Sequence, residues 1–282
     1  MKYDQITVVF LLRNGLDAAE NLKKFLAALT DFPAGYPHDL ILMFKNFKCH
    51  EINTLIREHQ IDPNSVLEVP ERNFDLGSYF YATTKINTEY VIFFNSYSRP
   101  QAKDWLKLYQ QAMRLNSSFL VGATGSYESN GFTPPFYEGR SVSRRLYWVI
   151  RYMYRLIFSI LSLFNNVSFP NSHIRSNAFL TKRSLYSDYI KKHGLPVTKT
   201  DCHLIESGPH SFTRHAESKG MNPGIVDIDG RFFNLENLHK TEVFRRDKQR
   251  KLVVSDNRSR EFQDTSSDIR RSLEWDAWRG RY

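Results

Sequence analysis

An unbroken apolar run, Tyr90-Val91-Ile92-Phe93-Phe94, stops abruptly on the polar cluster Asn95-Ser96-Tyr97-Ser98 and the pair Arg99-Pro100. Five β-branched or aromatic residues without polar alternation describe a strand buried on both faces, which needs a layer of helices on each side of its sheet. The neighbouring segments supply those layers. Apolar runs at 6–12, 39–44, 66–69 and 119–123 alternate with helix-length segments at 17–30, 50–60, 76–85 and 103–115. This alternation predicts an α/β fold with a mostly parallel sheet and right-handed crossovers. Ligands bind such open sheets at the carboxyl ends of their strands. The cluster 95–98 therefore marks the expected substrate site.

Local signals sharpen the elements. Asp17 stands where an N-cap is expected, with Glu20 three residues on to complete a capping box. The second half reads differently. A Gly-, Ser-, Pro- and aromatic-rich stretch at 124–143 predicts a long irregular loop, of the kind that is functional or mobile in a compact domain. Beyond it, 173–180, 224–228 and 252–255 are expected strands, 182–193 and 212–219 helices, and 260–278 an amphipathic helical tail. The 282 residues are expected to form one continuous domain. Its parts are a nucleotide-binding half at 1–125, a loop and amphipathic-helix insertion at 126–170, and an acceptor-side half with the tail at 171–282.

Charge is concentrated in one place. The chain carries a formal +9, yet 140–200 alone holds eleven Lys or Arg against the single acid Asp188. Such a surface attracts anionic lipid, nucleic acid or a phosphorylated substrate. Within it, the segment 144–164 has a helical pattern. Arg144, Arg151, Arg155, Ser159 and Ser162 fall on one narrow stripe and the remaining positions from 146 to 164 are apolar or aromatic. Arginines at its centre argue against a membrane span, and the stripe suits a helix lying on an anionic membrane surface. A buried core helix or a partner interface stays open beside that reading. The opening residues read as a strand rather than a signal peptide, and no apolar run reaches the length of a clear span. Cys49 and Cys202 form no framework. The expected location is cytoplasmic, peripheral on the membrane face.

Several ordered motifs resemble the GT-A glycosyltransferases of the family 2 type. These are the turn Arg13-Asn14-Gly15 after the first strand, Asp75-Leu76-Gly77 before the helix that leads into 90–94, the polar cluster 95–98, Pro100, and Asp104-Trp105-Leu106. Asn177-Ala178-Phe179-Leu180-Thr181-Lys182-Arg183 and Glu206-Ser207-Gly208 continue the series. The stretch from Phe169 to Phe179 and Ser255-Asp256-Asn257-Arg258 resemble glycosyltransferases of bacterial surface-polysaccharide clusters. The resemblance implies a GT-A-like, Rossmann-related sheet. It also implies a nucleotide-sugar donor and a glycan or lipid-linked acceptor, with an acid near Glu206 as catalytic base. Two departures stand out. The family's Asp-x-Asp, which holds a metal and the sugar diphosphate, is replaced here by Asn95 to Ser98. The second strand ends in Phe44-Lys45-Asn46 rather than in acids.

Transfer of a sugar needs a base for the acceptor hydroxyl and a countercharge for the departing diphosphate. Glu206 is the first candidate base and Asp201 the reserve; a solvated or capping carboxylate is the plain alternative for each. Mg²⁺ or Mn²⁺ prefers carboxylate oxygens, so the neutral Asn95, Ser96 and Ser98 make a divalent metal doubtful, unless one remaining acid such as Asp75 holds it. Cations can take its place, with Arg99, Arg175, Lys182 and Arg183 as candidates. The expected donor-binding set is thus Arg13, Asn14, Asp75, Gly77, Asn95, Ser96, Ser98, Arg99, Arg175 and Arg183, with no metal ligands. His173, His203, His210 and His215 lack the spacing of a zinc helix, and no Walker loop, dinucleotide fingerprint or nucleophile elbow is present. Two other classes remain: a non-catalytic scaffold descended from this fold, motivated by the missing acids, and, less favoured, a nucleic-acid-binding protein.

Overall fold

A computed structural model describes residues 5–62, 65–69, 74–129, 153 and 167–280. The first half follows the expected alternation: β1 (Ile6–Arg13), α1 (Ala18–Asp31), β2 (Asp39–Lys45), α2 (Cys49–Glu58), β3 (Val66–Val69), α3 (Asp75–Thr83), β4 (Tyr90–Phe94), the short β5 (Arg99–Pro100), α4 (Trp105–Leu115), β6 (Leu120–Gly122) and β7 (Gly125–Ser126). Then come β8 (His173–Ile174), β9 (Ala178–Lys182), α5 (Arg183–His193), α6 (Lys199–Ser207), α7 (Phe212–Ser218), β10 (Gly224–Val226), β11 (Phe232–Asn234), a 3-10 turn (Leu235–Lys240), β12 (Val254–Ser255), α8 (Asn257–Asp264) and α9 (Ser267–Trp278).

Eight of the described strands form one sheet in the order β11-β10-β6-β9-β4-β1-β2-β3, while β12 pairs with β5 and β7 with β8. The larger sheet is mostly parallel and covered by helices on both faces, as the apolar runs require. Val9, Leu11, Val91 and Phe93 point into one core with α3, α5, α6 and α7. Val8, Phe10, Leu12, Ile92 and Phe94 point into the other with α1, α2 and α4. A purely parallel sheet is not what forms: β9 runs antiparallel between β4 and β6, and β11 runs antiparallel to β10. A strand can enter a sheet in either direction when its side chains are apolar on both faces, and Ala178 to Leu180 satisfy that test. Strands from both halves of the chain thus share one sheet.

Other departures have local causes. Asp17 does not cap α1: its backbone sits near φ −99°, ψ 10°, close to helical rather than extended, and its side chain makes no cap bond. A capping side chain needs an extended N-cap backbone to reach the following N–H groups. Glu20 instead pairs with Lys24 at 2.8 Å. The expected strand 173–180 is two, β8 and β9, broken at Arg175–Asn177. The tail is two helices, α8 and α9, anchored where the buried Trp278 donates its indole N–H to the Phe244 carbonyl at 3.0 Å. Of the expected loop at 124–143, residues 124–129 are described and include the short strand β7; the rest of it, and the helix 144–164 apart from residue 153, lie outside the described residues. Among those described, no helix is long and apolar enough to cross a membrane.

Candidate active site

The order of strands reverses between β1 and β4: β2 and β3 follow on one side of β1, and β4 lies on the other. Crevices of this kind open at the carboxyl ends of the strands, and here the rim carries Arg13, Asn14, Lys45 and the loop 95–98. Ser96 closes the bottom of the crevice. Its buried hydroxyl donates to the Leu11 carbonyl at 2.9 Å and accepts the Arg13 N–H at 3.0 Å, stitching β4 to β1. Asn95 Oδ1 accepts the Tyr97 N–H at 3.0 Å, an Asx turn, and lies 2.9 Å from Ser98 Oγ. The fully buried Ser98 donates to the Asn177 carbonyl at 2.6 Å, and the Asn95 N–H reaches the same carbonyl at 3.2 Å. The loop is therefore fixed to β1 below and to the start of β9 beside it. Asn14 performs a similar task, its amide donating to the Asn46 carbonyl at 2.8 Å.

Glu206 belongs to this rim. It is in the last turn of α6 rather than on a turn leaving a strand, because Thr198 caps 199–207 into a helix: its hydroxyl accepts the Asp201 N–H at 3.1 Å. Glu206 Oε1 accepts the Ser176 N–H at 2.9 Å, one residue before the Asn177 that holds Asn95 and Ser98. Among the described residues Oε2 has no hydrogen-bond partner. The helix end is fixed by Asn171, whose amide donates to the Ser207 carbonyl at 2.7 Å, and by Gly208, where a Cβ would lie 2.6 Å from the Leu204 carbonyl oxygen. Glu206 borders a small, largely apolar cleft that Leu76, Ile174, Ile205, Phe212 and Thr213 help to line. Asp201, the reserve base, is tied down elsewhere. Its Oδ2 accepts the Val197 and Thr198 N–H groups at 2.9 and 2.7 Å as the second half of the capping box. Desolvation raises its carboxyl, but the hydrogen bonds from Thr198 and Val197 together outweigh that and hold it below the usual range.

Around Glu206 stands a set of buried charges. Arg175 is paired with Asp256 at 3.1 Å, with both side chains almost inaccessible, and its guanidinium lies over the Phe244 ring. Burial alone would push Arg175 down, but the carboxylates of Asp256, then Glu206, then Glu128 hold its charge above the ordinary value. Asp256 also caps α8 by accepting the Ser259 N–H at 2.8 Å. Arg175 thus joins the neighbourhood of Glu206, with its fork engaged by Asp256. On the other side, Asp75 opens α3 and faces Lys45 at 3.8 Å; Lys45 is only 3% exposed. Gly77 is buried inside α3. The Tyr79 ring stacks on Phe93, and its hydroxyl, buried without a hydrogen-bond partner among the described residues, is raised far above its usual value by desolvation and then by Asp75, Tyr186 and Glu206.

Arg183 and Lys182 lie at the other end of the sheet. Because β9 is antiparallel, Lys182 pairs with Tyr90 at the amino end of β4 while Ala178 pairs with Phe94. Arg183 there donates to the carbonyls of Thr88 and Thr83 at 2.9 and 3.2 Å. Arg99 remains at the rim, donating to Asn21 Oδ1 on α1 at 3.1 Å. A sequence reading has no route to two members of this site. Lys45 is an ordinary strand-end lysine until β2 buries it. Arg260 reaches the Tyr97 carbonyl at 3.0 Å only through a contact spanning 163 residues.

A divalent ion does not fit the end of β4. The loop contains no carboxylate, Asn95 Oδ1 and the hydroxyls of Ser96 and Ser98 are engaged within the protein, and Asp75 faces Lys45. Among the described residues no three His, Cys, Asp or Glu side chains converge to hold a metal.

No protein-family model matches the sequence, and no curated protein does. Solved structures with a similar backbone path include HddC from Yersinia pseudotuberculosis, at 14% identity over 67% of this chain and 80% of that one, with a TM-score of 0.38. A 4-diphosphocytidyl-2C-methyl-D-erythritol synthase from Anaerococcus prevotii matches at 11% identity over 79% and 85%, with a TM-score of 0.43. The mannosyltransferase PcManGT from Pyrobaculum calidifontis, solved with GDP-Man and Mn²⁺, matches at 13% identity over 67% of this chain, with a TM-score of 0.39. This chain spans 46% of that mannosyltransferase. Likeness at this level says nothing of what this chain binds.

Proposed function

We propose that this protein is a glycosyltransferase that moves a sugar from a nucleotide-sugar donor to a hydroxyl of a glycan or lipid-linked acceptor, with inversion, in surface polysaccharide synthesis. The observation that carries the reading is Glu206: a carboxylate beside the carboxyl end of β4, aimed by one backbone N–H and with its second oxygen unpartnered among the described residues. In the reaction, Glu206 takes the proton of the acceptor hydroxyl. The oxygen forms a bond to the sugar's anomeric carbon as the bond from that carbon to the diphosphate breaks, and the nucleoside diphosphate departs with the electron pair. Ser96, Asn95 and Ser98 act as a rigid neutral floor under the donor. Asp75, Lys45, Arg13 and Asn14 line the rim beside it. Membrane contact through 144–164 belongs to the same proposal.

One observation favours a second reading, a non-catalytic scaffold: the polar groups of loop 95–98 are satisfied within the protein. A thermal-shift screen of nucleoside diphosphate sugars separates the two. A ligand held only by the folded state raises its stability by about 2.7 kcal/mol at one hundred times Kd, which appears as a melting temperature several degrees higher. Stabilisation by one such donor supports the transferase; no stabilisation by any of them leaves the scaffold.

A further inference from the structure

We propose that Arg99 and Arg260 together form a binding site for a phosphoryl group beside loop 95–98. As the seat of the donor's diphosphate, it rests on the function proposed above; as an anion site, it does not.

The two guanidinium groups come from elements far apart in sequence and are brought together by one small ladder. Arg99 on β5 stands directly opposite Ser255 on β12 in an antiparallel pair. Directly opposed side chains share a face, with Cβ atoms about 5 Å apart. Arg260 donates to that same Ser255, at 3.2 Å to its hydroxyl, and to the Tyr97 carbonyl at 3.0 Å, two residues before Arg99. The Arg260 head is thus fixed over the face of the ladder from which the Arg99 side chain rises.

Their partners are all neutral. Arg99 donates to the Asn21 amide oxygen, Arg260 to a hydroxyl and a carbonyl, and neither has a carboxylate within ion-pair distance among the described residues. Arg99 Nε is buried with no hydrogen-bond partner among the described residues. The acids around them are otherwise engaged or apart: Asp256 pairs with Arg175, Glu20 with Lys24, and Asp264 makes no ion pair with either arginine. Burial lowers Arg99 against the pull of Glu20; burial followed by the repulsion of Arg99 lowers Arg260 against the pull of Asp256 and Asp264. A phosphoryl group removes that repulsion and accepts from both planar forks, a geometry that guanidinium matches better than any other side chain.

The position also suits the proposed chemistry. Arg99 is tied to α1, on one face of the sheet, whereas Glu206 is on α6, which packs on the other. A diphosphate at the arginine pair and a base at Glu206 flank the loop from opposite sides, as leaving group and nucleophile must in an inverting transfer. The cations supply the countercharge that the acids missing from loop 95–98 would otherwise recruit through a metal.

Calorimetric titration of the full chain with inorganic pyrophosphate, in the presence of a chelator, tests the pair. Saturable binding is expected, weakened about tenfold or more by Arg99→Gln and by Arg260→Gln. Arg258→Gln, an exposed neighbour on α8 paired with Glu261, should leave it unchanged. Arg99→Lys and Arg260→Lys keep the charge and lose the fork, so each should also weaken binding while preserving the fold. Absence of pyrophosphate binding, or binding equal in wild type and all four variants, overturns the site. Parallel titration with nucleoside diphosphates separates this from the function itself. Arginine-dependent binding of pyrophosphate but of no nucleoside diphosphate keeps the site and removes the donor; nucleoside diphosphate binding indifferent to both arginines keeps the donor and removes the site.

Discussion

Replacing Asp256 by Ala should be among the most damaging single changes outside the hydrophobic core. Its carboxylate is 1% exposed and does two things at once: it pairs with the nearly buried Arg175 at 3.1 Å and caps α8 through the Ser259 N–H at 2.8 Å. Truncating one member of a buried pair leaves the other charge unbalanced, at a cost of about 3–5 kcal/mol, and losing a cap adds roughly 1 kcal/mol. Glu206 and Glu128 also face Arg175, which argues for the lower end of the range, so we expect a loss of about 4 kcal/mol. At roughly 2–4 °C per kcal/mol for a chain of this size, the melting temperature should fall by about 10 °C. Urea denaturation of wild type, Asp256→Ala, Asp256→Asn and the double variant with Arg175→Met gives the parts. Asn keeps the shape and the cap but not the charge, so it should cost less than Ala; the double variant should recover part of the loss. The pH dependence has a definite sign. Burial raises the Asp256 carboxyl, but Arg175 and the Ser259 bonds outweigh it, so the folded value is below the unfolded one of about 3.9. Its contribution is then present above that unfolded value and lost as pH falls through the folded one. Asp256→Ala should accordingly show a shallower loss of stability in acid. A cost under about 1 kcal/mol, or an unchanged acid limb, would refute the idea that the two buried charges depend on each other.

Three further outcomes follow from the placement of individual groups. Burial, with Asp75 and Glu206 nearby, pushes the Cys202 thiol up to about 12, so at pH 8 iodoacetamide should label the exposed Cys49 and leave Cys202 until the protein is unfolded; equal labelling of both in the native state would contradict this. Arg183→Gln should cost about 1–3 kcal/mol through its lost bonds to Thr88 and Thr83, yet leave nucleotide and pyrophosphate binding unchanged, because it sits at the amino end of the sheet; weakened binding in a folded variant would place it wrongly. Stripping divalent ions with a strong chelator should alter neither the melting temperature nor donor binding, whereas a loss restored by Mn²⁺ would sink the arginine-based account of the diphosphate site.

The sheet was legible because it is buried twice over. A run such as Tyr90 to Phe94 can sit only between two helical layers, and its side chains do divide between the two cores. The direction of β9 was not legible, because Ala178 to Leu180 have the same apolar pattern whichever way they run. Nor could local pattern show that Asp17 fails as a cap, since that depends on a backbone angle imposed by the turn from Asn14. For the site, Glu206 could be singled out by its place in an ordered series, but its helical setting came from the capping box of Thr198 and Asp201, which turned the reserve base into a structural group. Arg183 and Arg175 looked alike as cations in a basic segment; an antiparallel strand sends them to opposite ends of the sheet. Arg260 was invisible for a plainer reason. Its partners are Tyr97 and Ser255, and nothing in a linear sequence brings those two together.

The central claim is that Glu206 is the base of a sugar transfer. The direct test is transfer from a stabilising nucleotide-sugar donor, identified in the thermal screen, by wild type and by Glu206→Gln in the presence of a chelator, with donor affinity measured alongside. Gln keeps the acceptor for the Ser176 N–H and the shape of the site but cannot take a proton. We expect transfer to fall by about 10²-fold or more while donor affinity and melting temperature stay within error of wild type. Transfer by Glu206→Gln at the wild-type rate would contradict the account.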